Sequence, residues 1–257
     1  MSWSVTISGI GGHLRRNTQQ YKNKLCVYCR DAKSTTADHV FPRGIFQRHQ
    51  LDSLPKVPSC KLCNNDKSKL EHYLLSVLPF GATHAHAKNA LSVDVSKRLE
   101  KNKKLHRKIS EGFGYTYIQQ QSNILERRLV VKFDADKLHK FVGYVGRGLM
   151  WYHWNKLLPL ESSFETFTPS PIGIEYIGGL LNLSSSLRIN TQLGEGTVRY
   201  HGVMSEVDEG VSVWAVQLFG GITIATENNE HIQKNSCVVM VSGSRDMLNK
   251  LELKYAT

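Results

Sequence analysis

Val57-Pro58-Ser59-Cys60-Lys61-Leu62-Cys63-Asn64-Asn65-Asp66-Lys67-Ser68 runs a Cys-x-x-Cys pair straight into a helical pattern, with Asn64 at its expected start. Leu70, Tyr73, Leu74 and Val77 follow at three- and four-residue intervals, so a helix from Asn64 to about Leu78 buries one face. Upstream stands a second pair, Cys26-x-x-Cys29. Each pair forms a tight knuckle that turns both sulfurs toward one point, and four thiolates so presented close a tetrahedral shell around Zn²⁺. The zinc is a structural fastener. Between the pairs lies Asp38-His39, in a stretch from Thr35 to Phe41 that reads as extended and is stopped by Pro42.

A carboxylate, an imidazole and an amide oxygen are thereby pinned side by side. Asp38 and Asn64 offer hard oxygen ligands suited to Mg²⁺ or Mn²⁺. His39 titrates near neutral pH and suits the role of general base. Those are the parts of a small hydrolytic metal site. Arg43, Lys61 and Lys67 surround them in sequence and are expected to contact phosphate, with plain surface solvation as the alternative for each.

The segments Cys26-Val27-Tyr28-Cys29, Asp38-His39-Val40-Phe41-Pro42 and Val57 to Ser68 resemble the HNH endonuclease family, over about residues 25–80. The resemblance implies a ββα-metal fold that grips one divalent ion between a hairpin and a helix. It is to the zinc-containing branch, and it implies Asp38 and Asn64 as ligands of the catalytic ion, His39 as general base, and cleavage leaving a 5′-phosphate. Cys26, Cys29, Cys60 and Cys63 are then structural. The chain departs from the family twice: Leu54, Pro55 and Lys56 stand where a bracing asparagine is expected, and Ser68 stands where many members have a histidine.

Charge points to the partner. The chain of 257 residues has a net charge of +11, yet residues 161–257 carry −5 and residues 1–160 carry +16. A basic face around a hydrolytic centre implies a polyanion, and nucleic acid, DNA above all, is the expected partner. The acidic second half is expected to offer a surface to a protein. Nothing approaches a membrane span or a secretory leader, so a cytoplasmic setting is expected, where four of the five cysteines bind metal rather than pair as disulfides. Cys237 lies in an apolar run and reads as a small buried hydrophobe.

The expected architecture is α+β. It comprises a basic arm (1–24), the zinc-stapled ββα module (25–80), a basic helical segment (81–126) and a β-rich α+β domain (127–257). Between residues 81 and 110, eight Lys/Arg face two Asp/Glu, which fits both a phosphate-tracking helix and a solvated bundle helix. His84 and His86 are expected in solvent. Leu129 to Phe133 reads as a strand, and Asp134 as the cap of an apolar helix from Ala135 to about Lys156, whose Trp151 and Trp154 read as core. Beyond Pro159 five strands are expected: Ile172–Leu183, Thr197–Val203, Val211–Phe219, Ile222–Thr226 and Ser236–Val241. Gly220-Gly221 would close a hairpin between the third and fourth. The leading function is a metal-dependent endonuclease, suited to defence against foreign DNA. The alternative is a non-catalytic zinc module that binds nucleic acid or a protein.

Overall fold

A computed structural model describes residues 18–52, 54–119, 125–182, 187–225 and 232–251. The expected basic arm lies mostly outside the described residues. The first unit has the strand–strand–helix order expected over residues 25–80. Strands β1 (Thr36–His39) and β2 (Lys56–Ser59) pair antiparallel, with Asp38 opposite Val57 and His39 opposite Lys56, and α1 (Lys61–Val77) follows at once. The helix starts three residues earlier than the sequence suggests, because Cys60 caps it: its sulfur accepts the Cys63 N–H. Asn64 therefore sits in the first turn rather than at the entrance. Leu70, Tyr73, Leu74 and Val77 are buried as their spacing requires.

The basic segment is not one helix. It breaks into α2 (Ala85–Asn89), a π-helical turn (Ala90–Val95), α3 (Ser96–Lys101) and α4 (Lys103–Glu111), the last capped by Asn102. His86 is buried, not solvated, and His84 caps α2 by accepting the His86 N–H. A hairpin follows, β3 (Phe113–Gln119) paired antiparallel with β4 (Leu125–Val131), and it straddles the boundary expected near residue 126.

Helix α5 (Ala135–Trp154), capped by Asp134 as expected, is the centre of the molecule. One side meets α1 and β2; the other meets a five-stranded antiparallel sheet ordered β5-β11-β8-β7-β6. These strands are β5 (Ser163–Phe167), β6 (Arg188–Leu193), β7 (Val198–Met204), β8 (Ser212–Leu218) and β11 (Val238–Gly243). Two glycines let α5 approach both neighbours. A Cβ on Gly146 would lie 2.5 Å from Met240 Sδ in the sheet, and one on Gly148 would lie 3.0 Å from Val40 of the first unit.

The sheet's far face carries α6 (Pro171–Leu181) and α7 (Arg245–Lys250). Trp214, Val216, Val238 and Met240 point toward α5, while Val213, Ala215, Val239 and Val241 join Ile177, Leu181 and Leu248 on the other side. Both faces being covered accounts for the unbroken apolar run of β11.

Residues 172–183 were expected as a strand, and this is corrected: Pro171–Leu181 is a helix. Ser170 caps it, Pro171 opens it, and Gly173, Ile177 and Leu181 are buried at four-residue intervals. Gly220-Gly221 does turn the chain at positive φ but makes no hairpin. It leads β8 out of the large sheet into β9 (Ile222–Ala225), which pairs with β10 (Ile232–Ser236) instead. One hydrophobic cluster runs from Tyr21 and Cys26 through α1 and α5 to Trp214 and Met240. The core thus crosses the expected junction between the zinc module and the second half. Among the described residues no helix is long and apolar enough to cross a membrane.

Candidate metal and nuclease site

The two knuckles bring Cys26, Cys29, Cys60 and Cys63 together, with all four sulfurs within 4.8 Å of one another. Cys29 Sγ and Cys60 Sγ are 4.0 Å apart. Zinc–sulfur bonds of about 2.3 Å place tetrahedral ligands about 3.8 Å apart, so the donor set fits a structural zinc. The backbone makes the knuckle: Arg30 takes a left-handed conformation and its N–H returns to the Cys26 carbonyl at 2.9 Å. Burial raises the Cys26 and Cys63 thiols. Burial also acts on Cys29, but backbone donors at Ala32 and Asp31 outweigh it and bring that thiol down to about 7. Cys237 is a free, half-buried thiol, pushed up to about 11 by its surroundings.

Strand alternation places Thr36 and Asp38 on the face of β1 that receives α1, and His39 on the other. Asn64 Nδ2 donates to Thr36 Oγ1 at 3.1 Å, so Asn64 and Asp38 stand on the same strand–helix seam. Asp38 is 8% exposed, and its Oδ2 accepts the Tyr28 hydroxyl at 2.7 Å and the Lys67 ammonium at 3.0 Å.

Lys67 is a correction. Expected on the surface as a phosphate contact, it is fully buried. Its Nζ also donates to the His39 carbonyl at 2.6 Å and pairs with Glu71 one turn on. An ammonium has three protons, and these three partners account for all of them. Burial raises the Glu71 carboxyl, and Lys67 opposes that rise.

His39 is half-buried. Burial first, and then the positive charges of Lys56, Arg43 and Lys67, lower its imidazole to about 4 against the opposing pull of Asp38, which leaves it uncharged at neutral pH. Arg43 and Lys61 are exposed, as anticipated. Ser68 is exposed too, off the seam that Lys67 and Glu71 occupy.

Several contributors lie outside the expected set: Tyr28, Thr36, Lys56, Glu71 and Arg147. Arg147 carried the clearest sequence signal, as the one Lys, Arg, Asp or Glu in the last fourteen residues of α5. Its guanidinium donates to the Tyr28 and Gly143 carbonyls and packs 4.9 Å from the centre of the Tyr144 ring and 4.8 Å from that of Phe164. Burial lowers its pKa. Through it the central helix grips the first knuckle. Compared with known proteins, the chain gives no match among protein-family models, curated proteins or solved structures.

Proposed function

We propose that this chain is a metal-dependent endonuclease of the HNH type, hydrolysing phosphodiester bonds in nucleic acid, with DNA as the favoured substrate. One observation carries the reading: an antiparallel hairpin leads directly into a helix whose first turn holds Asn64 against the strand of Asp38, beside a four-cysteine cluster. The cluster suits one zinc, with its four thiols kept reduced in a cytoplasmic setting.

Asp38 and Asn64 are the oxygen donors for a catalytic Mg²⁺ or Mn²⁺. Tyr28 and Lys67 both bond Asp38 through Oδ2, so Oδ1 is the atom it would give the ion. When bound, that ion stabilises the charge developing on the phosphate. Tyr28 and Lys67 hold the Asp38 carboxylate in place. His39, uncharged at neutral pH, is the base for the attacking water in this reading; it ends β1 on the face opposite Asp38, so its ring has to reach the water past the end of the strand. Arg43, Lys56 and Lys61 are the cations available to the backbone on this side; Lys67 is not among them.

The Asp38–Lys67 ion pair favours a second reading. In it Asp38 is structural, and the unit is a zinc-stapled module that binds nucleic acid, or a protein through the acidic second half. Plasmid nicking with Mg²⁺ or Mn²⁺ separates the two. The nuclease reading expects His39→Ala to fold, keep its zinc and lose about 10²- to 10⁴-fold in rate. A purified wild type that binds DNA but never nicks it would assign the chain to the second reading.

A further inference from the structure

The β3–β4 hairpin presents one face to solvent. Tyr115 and Tyr117 are 60% and 62% exposed and Phe113 is 37% exposed, while the intervening Thr116 is buried at 5%. The register sets Leu129, itself 57% exposed, across from Tyr115, and Arg127 across from Tyr117. Solvent-facing strand positions are ordinarily polar, so a ribbon with this many large exposed rings marks a contact surface.

Its chemistry selects the partner. The Arg127 guanidinium lies over the Tyr115 ring, 3.6 Å from its centre, as a cation–π pair. Helix α4, which runs straight into β3, exposes Lys103, Lys104, Arg107 and Lys108 and carries only one acidic residue, Glu111. Flat aromatic and guanidinium planes suit the faces of unpaired bases, and the flanking cations suit the phosphates between them. A duplex hides its base faces, so the matching ligand is single-stranded.

We propose that the outer face of this hairpin is a binding site for single-stranded nucleic acid, with bases stacking on Tyr115 and Tyr117 and the backbone held by Arg127 and the α4 cations. The site is separate from the Asp38–Asn64 seam. Phe113 packs edge-on against Phe80 at 5.3 Å, and the Asp134 N–H just after β4 donates to Tyr73 Oη at 2.7 Å. Both contacts fix the hairpin root near the C-terminal end of α1, about 20 Å along the axis from Asn64.

Binding is measured by fluorescence anisotropy of a labelled oligothymidylate without added divalent ions, so cleavage plays no part. Wild type and His39→Ala are expected to bind alike. Tyr115→Ala and Tyr117→Ala should each weaken binding by about 5- to 100-fold, with Tyr117→Phe retaining it, while zinc content and melting temperature stay at the wild-type level. Undiminished affinity in the folded Tyr115→Ala/Tyr117→Ala double variant would overturn the proposal. So would preference for a duplex of the same length, or binding to anionic vesicles in place of the oligonucleotide. Binding that depends on these tyrosines in a protein that never nicks DNA upholds the hairpin site and removes the nuclease reading; nicking and binding indifferent to them do the reverse.

Discussion

Lys67 shows how one inward turn changes a residue's meaning. A surface lysine in this position would be replaceable at almost no cost in stability. Buried between Asp38 and Glu71, it leaves two carboxylates facing each other when it is removed. Lys67→Met is therefore expected to lose about 3–5 kcal/mol in urea unfolding, whereas Arg43→Ala and Lys61→Ala should stay within about 0.5 kcal/mol of wild type. Equal midpoints for all three would return Lys67 to the surface. The clue was present in the sequence: the buried positions Leu70, Leu74 and Val77, extended back by three residues, land on Lys67. Cysteine pairs are easier to read, because a knuckle is defined by its own four residues. The partners Tyr28 and Arg147 are 119 positions apart, and only the fold joins them.

At the scale of elements, Cys60 has two functions, and substitution can separate them. Serine is a good N-cap but not a thiolate ligand, so Cys60→Ser should keep the cap of α1 and lose the metal. Cys60→Ala loses both. Both variants are expected to retain well under one equivalent of zinc by metal analysis, with the alanine form less stable by a further ~1 kcal/mol in chemical unfolding. Matching stabilities would mean that the cap contributes nothing. The amphipathic helices α1 and α5 were legible because their periodicity is local and long. Helix α6 was not, because its apolar β-branched run matches a strand as well, and only Ser170-Pro171 announced a helix start. The β8–β9 turn shows the converse: Gly220-Gly221 fixes a reversal of the chain, but which strands then pair is decided by the sheet, not by the turn.

Across the whole molecule, α5 ties the cysteine-bearing unit to the large sheet through one continuous core. Scanning calorimetry should therefore show a single cooperative transition, and two separated transitions would reinstate the expected division near residue 80. The α+β class was readable from the succession of patterns, but the sharing of one helix by both halves was not, since each half looked sufficient by itself. Acid should weaken the whole. His153, near the end of α5, stacks on Trp214 with its Nε2 3.0 Å from Tyr200 Oη, and burial alone lowers it to about 4. Its folded pKa lies below the unfolded value near 6.5, so the unfolded chain binds the proton first and stability falls as pH drops from about 6.5 toward 4. His153→Gln should flatten that part of the stability curve, as followed by melting temperature against pH; an unchanged slope would assign the acid sensitivity elsewhere.

The Phe41 ring stacks on Tyr200 of the sheet at 5.6 Å, and Val40 fills the notch at Gly148. These contacts bear on heredity as much as on folding. A gene segment copied out with only the two knuckles, the hairpin and α1 would leave behind the surface that shelters Phe41, Val40 and Tyr28. Moved alone into another host protein, such a fragment would carry three buried side chains into water and would need a new surface in place of α5 and the sheet.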